Sequence, residues 1–173
     1  NLCTRAGCGA ATCQNHFMTK IIGLTAGTEE DLAALHALAF PKEQAWTASA
    51  FRDLLDQPAT LARGVWDDNK LVAFILVQLV EREAEILTLA TAPEGRRRGF
   101  ARALIDGLEQ ELCPAGLENW LLDVAADNSG ALAFYKSLGF QTGGIRRNYY
   151  KRLEGLRIDA ILMSKAVGGH NAT

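Results

Sequence analysis

Apolar residues recur along this chain with two periods, and the switches between them mark out its elements. Ile21 to Thr25 reads as a short first strand. Leu32, Leu35, His36 and Leu38-Ala39 then recur at helical spacing, with Thr28 as N-cap, Asp31 in an approximate capping box and Pro41 as the stop. A second helix, capped by Thr47 or Ser49, carries Phe51, Leu54 and Leu55 and ends near Gln57-Pro58. Thr60 to Trp66 is strand-like, and Asp67-Asp68-Asn69 signals a hairpin into the β-prone run Leu71 to Val80. Glu81-Arg82-Glu83 reads as the next turn and Glu85 to Thr91 as a strand broken by Pro93-Glu94-Gly95.

The strongest helical pattern spans Arg97 to Leu112, with Ala101, Leu104, Ile105, Leu108 and Leu112 on one face. Pro114 and Gly116 end it. Trp120 to Ala125 is a strand, Asn128 or Ser129 a cap, and Ala131 to Leu138 a helix closed by Gly139. Phe140 to Arg147 and Leu156 to Ser164 are the last strands, joined by a hairpin tip at Lys151 to Gly155 that reads as mobile. The order β-α-α-β-β-β-α-β-α-β-β describes one mixed α/β domain without repeats or a linker.

Composition narrows the classes. The chain has 173 residues, 49% hydrophobic and 22% charged, with a formal net charge of −2. That balance fits one globular domain and offers no basic field for direct nucleic-acid binding. Leu71 to Val80 is interrupted by Gln78 and is half the roughly 20 residues of a membrane helix. Cys3, Cys8, Cys13 and His16 cluster at the start, but at spacings wider than paired zinc ligands favour. Residues 1–17 lack both apolar periodicity and a signal-peptide core, so they read as an added leader without structure, ahead of a domain over 18–173. No metal is expected. Cys113 is then the one cysteine of the domain, which fits a reducing cytoplasm.

Arg96-Arg97-Arg98-Gly99-Phe100-Ala101 stands between a strand and the start of a helix, and Arg102 follows one turn after Arg98. Cations are unfavourable at a helix N-terminus, where unsatisfied N–H groups already carry partial positive charge. A bound anion resolves the conflict; a solvated basic patch is the plainer reading. Neither a GxGxxG nor a GK(S/T) motif is present.

Arg96-x-x-Gly99-x-Ala101 matches the Gln/Arg-x-x-Gly-x-Gly/Ala signature of the GNAT N-acetyltransferases, and the chain resembles that family over nearly all of residues 18–166. The resemblance implies the GNAT fold, a mixed sheet of about seven strands flanked by about four helices. It implies acetyl-CoA as co-substrate. The loop Arg97, Arg98, Gly99, Phe100, Ala101 and Arg102 would hold the pyrophosphate. Leu89, Ala90 and Thr91, on a bulged strand, would pair with the pantetheine arm.

Asp123 interrupts the apolar run Trp120 to Ala125, where it can be a buried base or a polar strand-end residue. Tyr135 can equally be a core tyrosine with its hydroxyl at the rim. Leu122-Asp123-Val124, Asn128, Ala133 to Phe140 and Arg146 to Tyr150 are similar to the RimI-type ribosomal-protein alanine N-acetyltransferases. That likeness implies Asp123 as base, where those enzymes carry a glutamate, and Tyr135 as the acid that protonates the departing thiolate. It also implies that Asn128 contacts the cofactor and that Arg146, Tyr149 and Tyr150 lie near the acceptor. The aspartate is one methylene shorter, so it acts directly, through an ordered water, or in favour of Glu85 or Glu118.

The reaction so implied is acetyl transfer to a protein N-terminal amine, the acceptor being the N-terminal alanine of ribosomal protein bS18. At pH 7 an α-amine of pKa about 8 is roughly 10% neutral, a lysine of pKa about 10.4 well below 0.1%. The alternatives are a lysine or small-amine acetyltransferase on the same fold and a non-catalytic acetyl-CoA-binding module. His36 reads as a helix-surface residue. Trp46 and Phe40-Pro41 fit either the core or the wall of an acceptor groove.

Overall fold

The computed structural model describes residues 20–168. The cysteine–histidine cluster at Cys3 to His16, and with it the leader expected over 1–17, lies outside the described residues. Chain order is β1 (Ile21–Gly23), α1 (Glu29–Ala39), α2 (Ala48–Leu55), β2 (Thr60–Asp67), β3 (Lys70–Val80), β4 (Glu83–Thr91), α3 (Phe100–Leu112), β5 (Asn119–Ala125), α4 (Ser129–Ser137), β6 (Gln141–Lys151) and β7 (Arg157–Ala166). The strands form one sheet in the order β1-β2-β3-β4-β5-β7-β6. All neighbours are antiparallel except β4 and β5, which are parallel.

Central position explains the composition of β3. Leu71 to Val77 are all buried, as a strand covered on both faces requires. One face packs Ile75, Val77, Trp120, Leu122 and Val124 against Leu104, Ile105 and Leu108 of α3 and Tyr135 of α4. The other packs Phe74, Leu76 and Ala90 against Leu32 and Leu35 of α1 and Phe51 of α2.

Several boundaries differ from the sequence reading for identifiable reasons. The long helix begins at Phe100 rather than Arg97, because Arg97 (φ 62°) and Gly99 (φ 82°) are left-handed and cannot continue a right-handed helix. Thr28 does not cap α1; its hydroxyl donates to the Thr25 carbonyl at 2.7 Å. Thr47, not Ser49, caps α2 by accepting from the Ala50 amide. Asn128 likewise caps α4 by accepting from the Ala131 amide. Asp68 and Asn69, both at positive φ, make the tight turn between β2 and β3.

A bulge interrupts β4 at its middle. Val77 faces Ile86 while Leu76 faces Thr88, so Leu87 is the extra residue. It reverses the alternation: Ile86 packs toward α3, whereas Ala90 packs toward α1 and α2. The expected bulge is therefore present, and it exchanges which side chains of β4 face which layer.

Gly64 of β2 leaves room for two leucines. A Cβ there would sit 2.7 Å from Leu71 Cδ1 and 2.8 Å from Leu24 Cδ1, both buried. Gly64→Ala should lower stability by about 1–3 kcal/mol through overpacking, read from the denaturation midpoint. An unchanged midpoint would show that the two leucines repack freely.

Candidate active site

β4 and β5 are hydrogen bonded only from Glu83–Asn119 to Ile86–Leu122. Beyond that point β3 still holds β4 and β7 still holds β5, so the two strands part as rigid edges. Their facing backbone groups are left for another partner. A cavity of about 710 Å³ occupies the opening. Its walls include Leu89, Asp123, Asn128, Tyr135, Tyr149 and Tyr150, which the sequence had singled out separately.

Asp123 lies between Leu122 and Val124, which face the α3 layer, so its side chain projects to the opposite face. There it is mostly buried and ion-paired with Arg146, Oδ2 to Nη1 at 3.0 Å. That pair occupies one of the two carboxylate oxygens. Tyr135 reaches the cavity from α4, packed edge-on against Phe134 and Phe140. Burial, reinforced by nearby Tyr150, pushes its phenol well above the usual range, so it holds its proton and suits an acid. Tyr150 donates to the Asp123 carbonyl oxygen at 3.4 Å, and burial with the Asp123 charge pushes it up to about 12. Glu85 lines the same cavity, whereas Glu118 does not and pairs with Arg82.

The tyrosine pair is aimed by a second bulge. β6 register jumps from Arg146–Ala160 to Tyr150–Ile158, and Asn148 at its centre is left-handed (φ 54°). Asp159 accepts the freed Asn148 amide at 2.8 Å. Arg152, expected on a mobile tip, is instead turned inward. Its Nε and Nη2 donate to Asp127 at 3.1 and 2.7 Å, joining the β6–β7 connection to the loop before α4. A bidentate pair that is largely buried on the arginine side restrains that connection.

The arginine loop stands apart from this cavity. None of Arg97 to Arg102 lines it, nor do Ala90 and Thr91. The Ala90 and Phe100 side chains are buried in the core, so only their backbones can serve a ligand. Arg98 pairs with Asp67 at 3.4 Å and lies over the Phe100 ring. Gly99 provides no side-chain cap, no acid occupies the first turn, and the first helical bond is from the Ala103 amide to Gly99. The amides of Phe100, Ala101 and Arg102 thus lack backbone acceptors, which suits an anion.

A family model for acetyltransferases of the GNAT family matches residues 29–140. The chain belongs to the GNAT acetyltransferase family. It is 42% identical over 97 residues to the ribosomal protein bS18 alanine N-acetyltransferase of Escherichia coli K12, covering 56% of this chain and 65% of that protein. It is 32% identical over 132 residues to the N-alpha-acetyltransferase RimI of Mycobacterium tuberculosis, covering 74% of this chain and 82% of that one. The crystal structure of the E. coli ribosomal-protein-S18-alanine N-acetyltransferase superposes with a TM-score of 0.78 at 32% identity, over 90% of this chain and 99% of that one. The matched segment thus spans 65% of the length of the E. coli relative.

One residue of the wall that α1 and the α1–α2 connection supply to this site was misread from sequence. His36 is not a surface residue: it is 2% exposed and lines the cavity. Its ring stacks on Phe40 and Trp46, and its Nδ1 accepts the Trp46 amide at 3.2 Å. Phe40 and Trp46 pack against the core and also line the cavity. Helical spacing had placed His36 among apolar positions, which was the available signal.

Burial lowers the His36 pKa from 6.5 to about 4, so the folded ring stays neutral. Between those two values the unfolded chain takes up a proton that the folded chain refuses, and stability falls as pH drops from 6.5 to about 4. Above that window His36 contributes no pH dependence. His36→Asn can keep an oxygen acceptor for the Trp46 amide without titrating. Its unfolding temperature should decline less than wild type across this window; equal slopes would remove His36 as the cause.

Proposed function

We propose that this chain is an acetyl-CoA-dependent N-α-acetyltransferase that acts on a protein N-terminal amine, with the N-terminal alanine of ribosomal protein bS18 as acceptor. The carrying observation is the meeting of Asp123, Tyr135, Tyr149 and Tyr150 in the cavity where β4 and β5 part. The acceptor named for the bS18-specific relative supports the substrate. The free Cys113 accords with a reducing, cytoplasmic setting.

Acetyl-CoA, the co-substrate of the GNAT family, supplies the thioester carbonyl. The residues present fit it. The uncapped amides of Phe100 to Arg102, with Arg97 and Arg102 beside them, offer donors to a pyrophosphate. The edge of β4 beyond Ile86, at Leu89, Ala90 and Thr91, offers amide partners to a pantetheine arm. Asn128 uses its Oδ1 as the α4 cap and keeps its amide nitrogen for a ligand.

Asp123 takes the proton of the acceptor amine, directly or through water, as Arg146 gives way. The amine nitrogen bonds to the acetyl carbon while the carbon–sulfur bond breaks. Backbone N–H groups of the bulged strand face the carbonyl oxygen as charge builds there. Tyr135, which keeps its proton at neutral pH, delivers it to the departing sulfur. Arg146, Tyr149 and Tyr150 border the acceptor's path.

Acetyl-CoA and a peptide beginning Ala-Arg-Tyr-Phe should give a product heavier by one acetyl group, localised to the N-terminus by mass spectrometry. Turnover on lysine or polyamines alone would sink the reading. Asp123→Asn and Tyr135→Phe should each lower kcat by roughly 10²–10⁴ while acetyl-CoA still binds. Wild-type rates in both variants would show that the roles are wrongly assigned.

A further inference from the structure

Proton balance makes a demand that one carboxylate does not meet. At pH 7 an α-amine of pKa about 8 arrives as an ammonium in roughly nine molecules of ten. Its nitrogen carries three protons and the amide product keeps one, so two must leave. Asp123, in the role given above, takes the proton that departs as the nitrogen attacks. The other must go before attack, because an ammonium has no free electron pair.

Glu85 stands where a second acceptor is needed. β4 and β5 last pair at Ile86–Leu122. Glu85 immediately precedes that point on β4, and Asp123 immediately follows it on β5. Ala84 and Ile86 both face the α3 layer, so Glu85 projects to the opposite face, the one Asp123 occupies. Its register partner is Leu121, two residues before Asp123, which sets the two Cα atoms roughly 8 Å apart at standard strand spacing. Both residues line the cavity. Their charges are held differently. Asp123 is paired with Arg146, and Asp127, the third carboxylate on the wall, with Arg152. Glu85 is half-buried and has no ion pair among the described residues. Across the sheet its neighbour is the neutral Gln78 of β3, which bonds Gln57.

We propose that Glu85 is a second catalytic carboxylate, which takes the first proton from the arriving ammonium before Asp123 takes the second as the carbon–nitrogen bond forms. This rests on the N-α-acetyltransferase reading and adds the residue that makes the amine a nucleophile. The proton on Asp123 balances the one that Tyr135 gives to the departing sulfur. The proton on Glu85 passes to solvent, so one proton is released per acetyl group transferred. An unpaired carboxylate suits the first step because it also attracts the cation it discharges. Facing it across the cavity are His36 of α1, which burial keeps neutral above about 4, and Tyr135 of α4 and Tyr150 of β6, which burial keeps protonated. Tyr149 and the two carboxylate–arginine pairs complete the set. Between pH 6 and 8 the group that changes charge is then the acceptor amine itself.

The test is the pH profile of kcat/KM for the Ala-Arg-Tyr-Phe peptide at saturating acetyl-CoA. Wild type should vary by no more than about threefold between pH 6 and 8, because it discharges the ammonium on the enzyme. Glu85→Gln must wait for peptide that is already neutral, so its kcat/KM should climb roughly 40-fold over the same range, following the neutral fraction. At pH 9 the two enzymes should agree within about threefold, with the acetyl-CoA KM unchanged. Glu85→Ala, which removes the carboxylate in a second way, should show the same slope. Asp123→Asn should be slow at pH 9 as well, which separates the two roles. A profile parallel to wild type in the Glu85 variants, at any level of activity, would overturn the proposal and leave the N-α-acetyltransferase reading intact. A roughly 40-fold climb in wild type itself would overturn it too, without recourse to any variant. If wild type acetylates no peptide N-terminus at any pH, the underlying reading falls and Glu85's role with it.

Discussion

The parting of β4 from β5 is the constraint on which the rest depends. Two parallel strands that stayed paired to their ends would close the sheet and satisfy every backbone group along it. Here pairing ends at Ile86 and Leu122. The Leu87 bulge turns β4 at that point, and each strand is kept straight from its outer side, β4 by β3 and β5 by β7. The result is a rigid opening with free amide edges. A rigid opening matters because acyl transfer depends on donors already aimed at the reacting oxygen, not on donors that must reorganise.

Charge is arranged around that opening with few loose ends. Arg146 holds Asp123 in the absence of an acceptor, and Arg152 holds Asp127. Under the proposed roles, the first pair would open to admit the acceptor amine. The second ties the β6–β7 connection down beside Tyr150. Tyr135 and Tyr150 stay protonated in this setting because burial penalises the phenolate.

Much of the fold was legible in the sequence because it depends on local periodicity. The alternation in β4, the continuous apolar run of β3 and the Leu104–Leu108–Leu112 stripe of α3 each encode burial at the period of their element. The arginine loop was legible for a different reason: cations at a helix start contradict a local electrostatic rule. His36 and Arg152 were misread because a histidine on a helix and an arginine in a hairpin tip carry no local sign of their partners. Those partners, Trp46 and Asp127, lie 10 and 25 residues away along the chain.

The sequence by itself determined the element order, the continuous apolar run of β3 and the chemistry available to the site. These follow from side-chain spacing at the period of each element. Tertiary structure alone decided which oxygen of Asp123 meets Arg146, which wall His36 supports, and which polar atoms are left without partners. Those outcomes depend on strand register, bulges and contacts between distant segments. A single inserted residue in a strand reverses every side chain beyond it, and only the assembled sheet shows where that insertion falls.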